Sequence, residues 1–124
     1  MTKVGFIGVG YMGYGMVKNL LKKHNVFIFA HKNRKPINKL VKLGAIELKS
    51  YKELKNNNLN CLMLCVTNTP IALKVANEIK NFINKKTIII DLTTHNKKGA
   101  SQMNKIFKSK NIDYNFCGVM GGPV

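Results

Sequence analysis

Acidic side chains are nearly missing from this chain. Five of its 124 residues are Asp or Glu, against 21 Lys and Arg, which gives a formal charge of +16. Arginine is almost as scarce: Arg34 is the single one, and every other member of the basic set is lysine. That scarcity weighs against a dedicated nucleic-acid reader, because phosphate and base recognition relies on the planar, bidentate guanidinium. The lysines are also scattered rather than gathered in one block. Asparagine is abundant too, as in Asn56-Asn57-Asn58, so the bias reads as A-rich codon usage. No specific nucleic-acid partner is expected, only weak, salt-sensitive adsorption.

Long apolar runs are absent as well. Nothing approaches the roughly 18 residues of a membrane span. The first residues lack the apolar stretch and small-residue cleavage site of a signal peptide. A cytoplasmic chain of one domain, without a membrane partner, is the expectation. Cysteine occurs only as Cys61, Cys65 and Cys117, with no CxxC. An odd count in this setting gives neither a disulfide framework nor a metal site, and buried, inert thiols are expected.

What is present is concentrated at the N-terminus. Lys3-Val4-Gly5-Phe6-Ile7 reads as a strand and runs into Gly8-Val9-Gly10-Tyr11-Met12-Gly13, after which Met16, Val17, Leu20 and Leu21 continue with helical spacing. G-x-G-x-x-G between a strand and a helix is the dinucleotide-binding fingerprint. Gly8 permits the tight turn, Gly10 lets a pyrophosphate approach the backbone, and Gly13 lets helix and strand pack closely. The free N–H groups and positive dipole end of the helix then face the phosphates. A purely structural glycine turn is the alternative.

Further along, strands and helices alternate, which argues for a parallel sheet covered on both faces. Strands are expected at 4–8, 26–30, 45–48, 61–66, 87–92 and 112–117. Helices are expected at 11–23, from Pro36 in a first turn to a Gly44 C-cap, at 70–83 and at 98–109. Ser50 and Glu53 have the spacing of a capping box for a short helix. Ile71, Val75, Ile79 and Phe82 form an apolar stripe. The fold class is α/β, a Rossmann-type doubly wound parallel sheet of order 3-2-1-4-5-6, with ligands at the carboxyl ends of the strands where the order reverses.

An NAD site usually ends its second strand with an acid that bonds the ribose 2′-hydroxyl. Here that strand ends in Ala30-His31-Lys32-Asn33-Arg34-Lys35. A carboxylate there would repel a 2′-phosphate, whereas this cluster would attract one, so NADP is expected over NAD. Lys32 and Arg34 are the leading contacts, with His31 and Asn33 beside them. A solvated basic loop in a lysine-rich protein is the plainer reading.

Val4 to Gly13, followed by Met16, Asn19 and Leu20, resembles the N-terminal signature of the β-hydroxyacid dehydrogenases. That family includes 3-hydroxyisobutyrate dehydrogenase and tartronate semialdehyde reductase and is related to 6-phosphogluconate dehydrogenase. Lys42-Leu43-Gly44-Ala45 resembles the family's segment before strand 3, and Ile90-Asp91-Leu92-Thr93-Thr94 its D-x-S-T motif. Phe116-Cys117-Gly118-Val119-Met120-Gly121-Gly122-Pro123 resembles its substrate loop. The resemblance implies that Gly8, Val9, Gly10, Tyr11 and Met12 line the pyrophosphate. It puts Val66, Thr67 and Asn68 near the nicotinamide-side ribose and Thr94 near the nicotinamide. Met120, Gly121 and Gly122 would hold the substrate carboxylate through backbone N–H groups. Alternatively, Asp91, Thr93 and Thr94 only cap the next helix, and the paired glycines only make a turn.

The loop departs from the family's pattern: Met120 replaces a serine, and Phe116 and Gly118 replace an acid and a proline. The family's catalytic lysine lies on a later helix, ahead of an all-helical domain, and no lysine here is assigned that role. The resemblance implies the NADP-binding portion of an oxidoreductase acting on a small 3-hydroxy acid, inactive alone. Its partners would be the helical domain or a second copy. The other readings are a non-catalytic dinucleotide-binding module working with a partner, and a basic nucleic-acid-binding protein.

Overall fold

The computed structural model describes residues 2–29 and 33–118. Six strands form one parallel sheet in the order β3-β2-β1-β4-β5-β6, the order expected. They are β1 (Lys3–Ile7), β2 (Asn25–Phe29), β3 (Ile46–Leu48), β4 (Cys61–Leu64), β5 (Ile88–Asp91) and β6 (Asp113–Phe116). Connecting them are α1 (Tyr11–Leu20), α2 (Arg34–Lys42), a 3₁₀ turn at Tyr51–Glu53 running into α3 (Leu54–Asn57), α4 (Thr69–Ile79) and α5 (Lys97–Lys108).

The continuous apolar strands make sense because both faces are covered. Phe6, Val26 and Ile28 point to one side, where Val17 of α1 and Ile37 and Leu40 of α2 meet them. Ile7, Phe27 and Phe29 point to the other, against Ala72, Val75 and Ile79 of α4 and Met103 and Phe107 of α5. Helices therefore change face between β3 and β4, and the central seam pairs β1 with β4, Val4 to Cys61 through Ile7 to Leu64.

Some element ends match expectation and others differ. Helix α2 starts at Arg34, where the Asn33 side chain accepts from the Lys35 N–H and caps it. Pro36 then sits in the first turn, where a missing N–H costs nothing. Helix α4 stops at Ile79 rather than 83: the Phe82 N–H donates to the Ile79 carbonyl at 2.8 Å, and that tight turn folds Phe82 back onto the core. The stripe also divides. Val75 and Ile79 are buried, but Ile71 is 42% exposed. The capping pattern at Ser50 is realised, with the Glu53 carboxylate accepting from the Ser50 N–H at 2.9 Å. Among the described residues, no helix is long and apolar enough to cross a membrane.

Candidate functional site

At the carboxyl ends of β1 and β4 a crevice of about 570 Å³ opens, with Gly8, Val9, Gly10, Met12 and Gly13 on one side and Cys65, Val66 and Thr67 on the other. The three motif glycines meet three different surroundings. Gly8 has φ +103°, and a Cβ there would strike the Cys65 carbonyl oxygen, so it lets the turn lie against the end of β4. A Cβ on Gly13 would strike the Gly8 carbonyl oxygen, so it brings α1 down onto the turn. Gly10 is extended, and a Cβ there would meet nothing within 4 Å. Its neighbourhood is open crevice.

Helix termini point the same way. Asn33, Asn68 and Asn96 each cap a helix by accepting from a first-turn N–H, those of Lys35, Ile71 and Gly99. The N-cap of α1 is Gly10, which has no side chain to offer, and the first turn of α1 holds no acid. Its N–H groups face the crevice uncapped, an arrangement that suits an anionic ligand group.

Of the basic segment after β2, His31 and Lys32 lie outside the described residues. Asn33 lines the crevice while its oxygen caps α2. Arg34 is engaged: its Nη1 and Nη2 donate to the two oxygens of Glu47 on β3 at 2.6 and 2.8 Å, and Nη2 also to Asn38. The guanidinium hydrogen bonds hold the Glu47 carboxyl below the usual carboxylate range.

Val66, Thr67 and Asn68 form the β4–α4 turn, with Thr67 and Asn68 exposed. Thr94 is exposed in the β5–α5 turn. Between these turns lies a buried polar group. One oxygen of Asp91 accepts from the Thr93 N–H at 3.0 Å; the other meets His95 Nε2 at 2.8 Å and the Tyr114 hydroxyl at 2.6 Å. Thr93 Oγ1 accepts from the Val66 N–H at 3.1 Å, and His95 Nδ1 lies 2.6 Å from Thr69 Oγ1. The cap of α5 is accordingly Asn96. Asp91 and Thr93 tie turns together, and Thr94 is not the cap either.

The thiols differ in part from expectation. Cys61 and Cys65 are half-buried and Cys117 is exposed; all three are free. Burial pushes the Cys61 thiol up; burial and then the Asp91 carboxylate push up that of Cys65, which keeps both unreactive. Met120, Gly121 and Gly122 lie outside the described residues. Before them, a Cβ on Gly118 would strike the Thr93 carbonyl oxygen, so the chain leaving β6 lies close over the β5–α5 turn.

A model of the NAD-binding domain of 6-phosphogluconate dehydrogenase matches residues 3–124. The chain belongs to this family. The solved structures it resembles include a Mycobacterium tuberculosis 3-hydroxyisobutyrate dehydrogenase with L-serine, at a TM-score of 0.87 and 19% identity, over 98% of this chain and 42% of that one. An imine reductase from Pseudomonas sp. gives 0.83 and 19%, over 94% and 41%. A Myxococcus stipitatus imine reductase variant in complex with NAD+ gives 0.81 and 18%, over 92% and 39%. The chain thus spans about two fifths of the length of these solved relatives, and the likeness is one of fold.

As an NAD-binding domain the chain has crevice walls that motif reading passed over. Tyr51, Ile71 and Val75 line it opposite the glycine turn. Ile71 was the one with a signal, an apolar residue in the first turn of a helix at the switch point. Tyr51 had none, because its place depends on how the 3₁₀ turn packs beside Phe29, with ring centroids 5.1 Å apart. His95, at the centre of the buried group, also went unremarked; Asp91 four residues earlier was its only pointer.

Proposed function

We propose that this domain binds NADP and serves an oxidoreductase that moves a hydride between the nicotinamide and a small 3-hydroxy acid. The observation that carries the reading is the uncapped N-terminus of α1, opening onto the crevice at Gly10 while α2, α4 and α5 are each capped by asparagine. The pyrophosphate would rest on Gly8, Val9, Gly10, Tyr11, Met12 and Gly13. The nicotinamide-side ribose would lie along Val66, Thr67 and Asn68, with Thr94 beyond. The fit is supported by the open space at Gly10 and by the two close approaches at Gly8 and Gly13, which fold the turn tightly against β4 and α1.

The choice of NADP is supported by the segment from His31 to Arg34, with its excess of positive charge. Among the described residues, the carboxylate that Arg34 meets is Glu47. When bound, the cofactor supplies the hydride chemistry, and the chain's residues bind and orient it. Met120, Gly121 and Gly122 would hold the substrate carboxylate. The general acid/base, a lysine in the family resembled, has no assigned counterpart in residues 1–124. Calorimetric titration with NADPH and NADH tests the binding reading: saturable binding that prefers NADPH is expected, and no binding of either would overturn it.

A further inference from the structure

The binding reading uses the β4–α4 turn and leaves the buried group behind it without a role. That group has a definite architecture. Asp91 and His95 are completely buried, and the Asp91 carboxylate is the meeting point of two arms. One arm runs through Thr93, whose N–H donates to Asp91 and whose hydroxyl oxygen accepts from Val66 N–H. The other runs through His95, which lies between Asp91 and the hydroxyl of Thr69. Val66 and Thr69 bracket the turn on which Thr67 and Asn68 are presented. Each arm thus ends on one side of that turn, and both begin at one carboxylate.

The bonding fixes one proton of the ring. A carboxylate only accepts, so Nε2 carries a proton and donates to Asp91. In the neutral ring Nδ1 is the acceptor, and the Thr69 hydroxyl donates to it. Tyr114 donates to the same Asp91 oxygen and Phe116 packs against the ring at 5.6 Å between centroids, which holds the imidazole in place. A Cβ on Gly99 would run into the Thr69 side chain, so the start of α5 lies close against the threonine. A hydroxyl at Thr69 and an imidazole at His95 are otherwise an odd choice for a packed site. A buried polar pair needs both ends satisfied, and here each end has its partner.

We propose that His95 is a positioning residue for dinucleotide binding: anchored by Asp91 in the Nε2–H tautomer, it holds Thr69 and thereby sets the β4–α4 turn in the posture that receives the nicotinamide-side ribose. The proposal rests on the dinucleotide-binding reading above. It assigns the ring no contact with cofactor or substrate.

The test is NADPH titration of the 124-residue chain and of two variants, His95→Leu and His95→Gln, with ¹⁵N NMR of the wild-type imidazole. Leucine fills the space but bonds neither partner. Glutamine offers an amide N–H to Asp91 and an amide oxygen to Thr69, the same donor and acceptor as this tautomer. His95→Leu should bind NADPH about five- to tenfold more weakly, the scale of one lost hydrogen bond. His95→Gln should stay within about twofold of wild type, a rescue that depends on hydrogen bonding at Thr69. The ring nitrogens should read as protonated Nε2 and bare Nδ1. Equal affinity for wild type and His95→Leu would overturn the role. So would a His95→Gln chain that melts normally yet binds as poorly as His95→Leu, or the opposite tautomer. If the wild-type chain bound neither NADPH nor NADH, the binding reading itself would fall and the role with it. Failure confined to the variants overturns the His95 role alone.

Discussion

Both carboxylate oxygens of Glu47 grip the guanidinium of Arg34, joining the edge strand β3 to the first residue of α2. This pairing fixes where the chain's lone arginine points. It also means that a 2′-phosphate would have to share Arg34 with Glu47. Two of the five donors of the guanidinium face the glutamate and a third faces Asn38, which leaves two for a phosphate. Arg34→Ala should weaken NADPH by about tenfold and NADH little, the scale of a charge-assisted hydrogen bond. Glu47→Gln should do the reverse, tightening NADPH and leaving NADH as it was. Parallel titrations with both nucleotides check this, and equal shifts for the two would remove Arg34 from the 2′-phosphate site. Half of the Arg34 side chain is exposed, so the difference should shrink as salt rises.

The glycine turn separates a binding glycine from a packing glycine. Gly10→Val puts its side chain into open crevice, so the chain should melt as wild type does while losing nucleotide binding. Gly13→Val drives a Cβ into the Gly8 carbonyl oxygen and should destabilise the fold by about 1–3 kcal/mol or more, as overpacking does. Thermal melts beside nucleotide titrations distinguish the two. A Gly10→Val chain that binds normally would refute the site.

Tyr114 gives the fold a signature in alkali. Burial first, then its hydrogen bond to the Asp91 carboxylate, raise its pKa far above the ordinary 10.0. A raised native value means that this contribution to stability is whole below about pH 10, where the unfolded tyrosine keeps its proton, and is lost as pH climbs beyond it. Titration followed by phenolate absorbance should show Tyr114 silent until the chain unfolds. Tyr114→Phe should remove that late step. It should also cost about 1.5–3 kcal/mol, the range for a hydrogen bond to a charged group.

Two isoleucines on one helix should part company. Ile79 is fully buried, and Ile79→Ala should cost about 2–5 kcal/mol in a denaturant melt. Ile71 faces the crevice, so Ile71→Ala should change stability by roughly 0.5 kcal/mol or less, as exposed substitutions do. Its effect belongs in nucleotide affinity instead.

Sheet order was readable in advance because it follows from alternation and from a motif whose context is local: a strand, three glycines and a helix within twenty residues. Strand positions came through to within a residue or two for the same reason. Helix ends were harder. Whether Asn33 or Pro36 starts α2, and whether Phe82 continues α4 or turns back, depends on bonds to specific side chains and on a core that forms only in three dimensions. The least legible part was the group around Asp91. Its members come from β5, β6, the start of α4 and the turn before α5, and Tyr114 follows Asp91 by 23 residues. No spacing rule joins them, since their adjacency is a product of parallel pairing.

The β1–β4 seam has a consequence for the order in which the molecule can be assembled. Its pairing joins residues as far apart as Lys3 and Asn60, 57 positions along the chain, whereas β1 meets β2 after a single short crossover. Closing the longer loop carries the larger entropy penalty, and a growing chain owns the glycine turn long before it owns the strand that completes the crevice. A nucleotide bound across that seam as proposed would touch both sides of the join, so it would bind only after closure and act by mass action to keep the join shut. Cofactor supply would then bear on how much of this domain survives proteolysis.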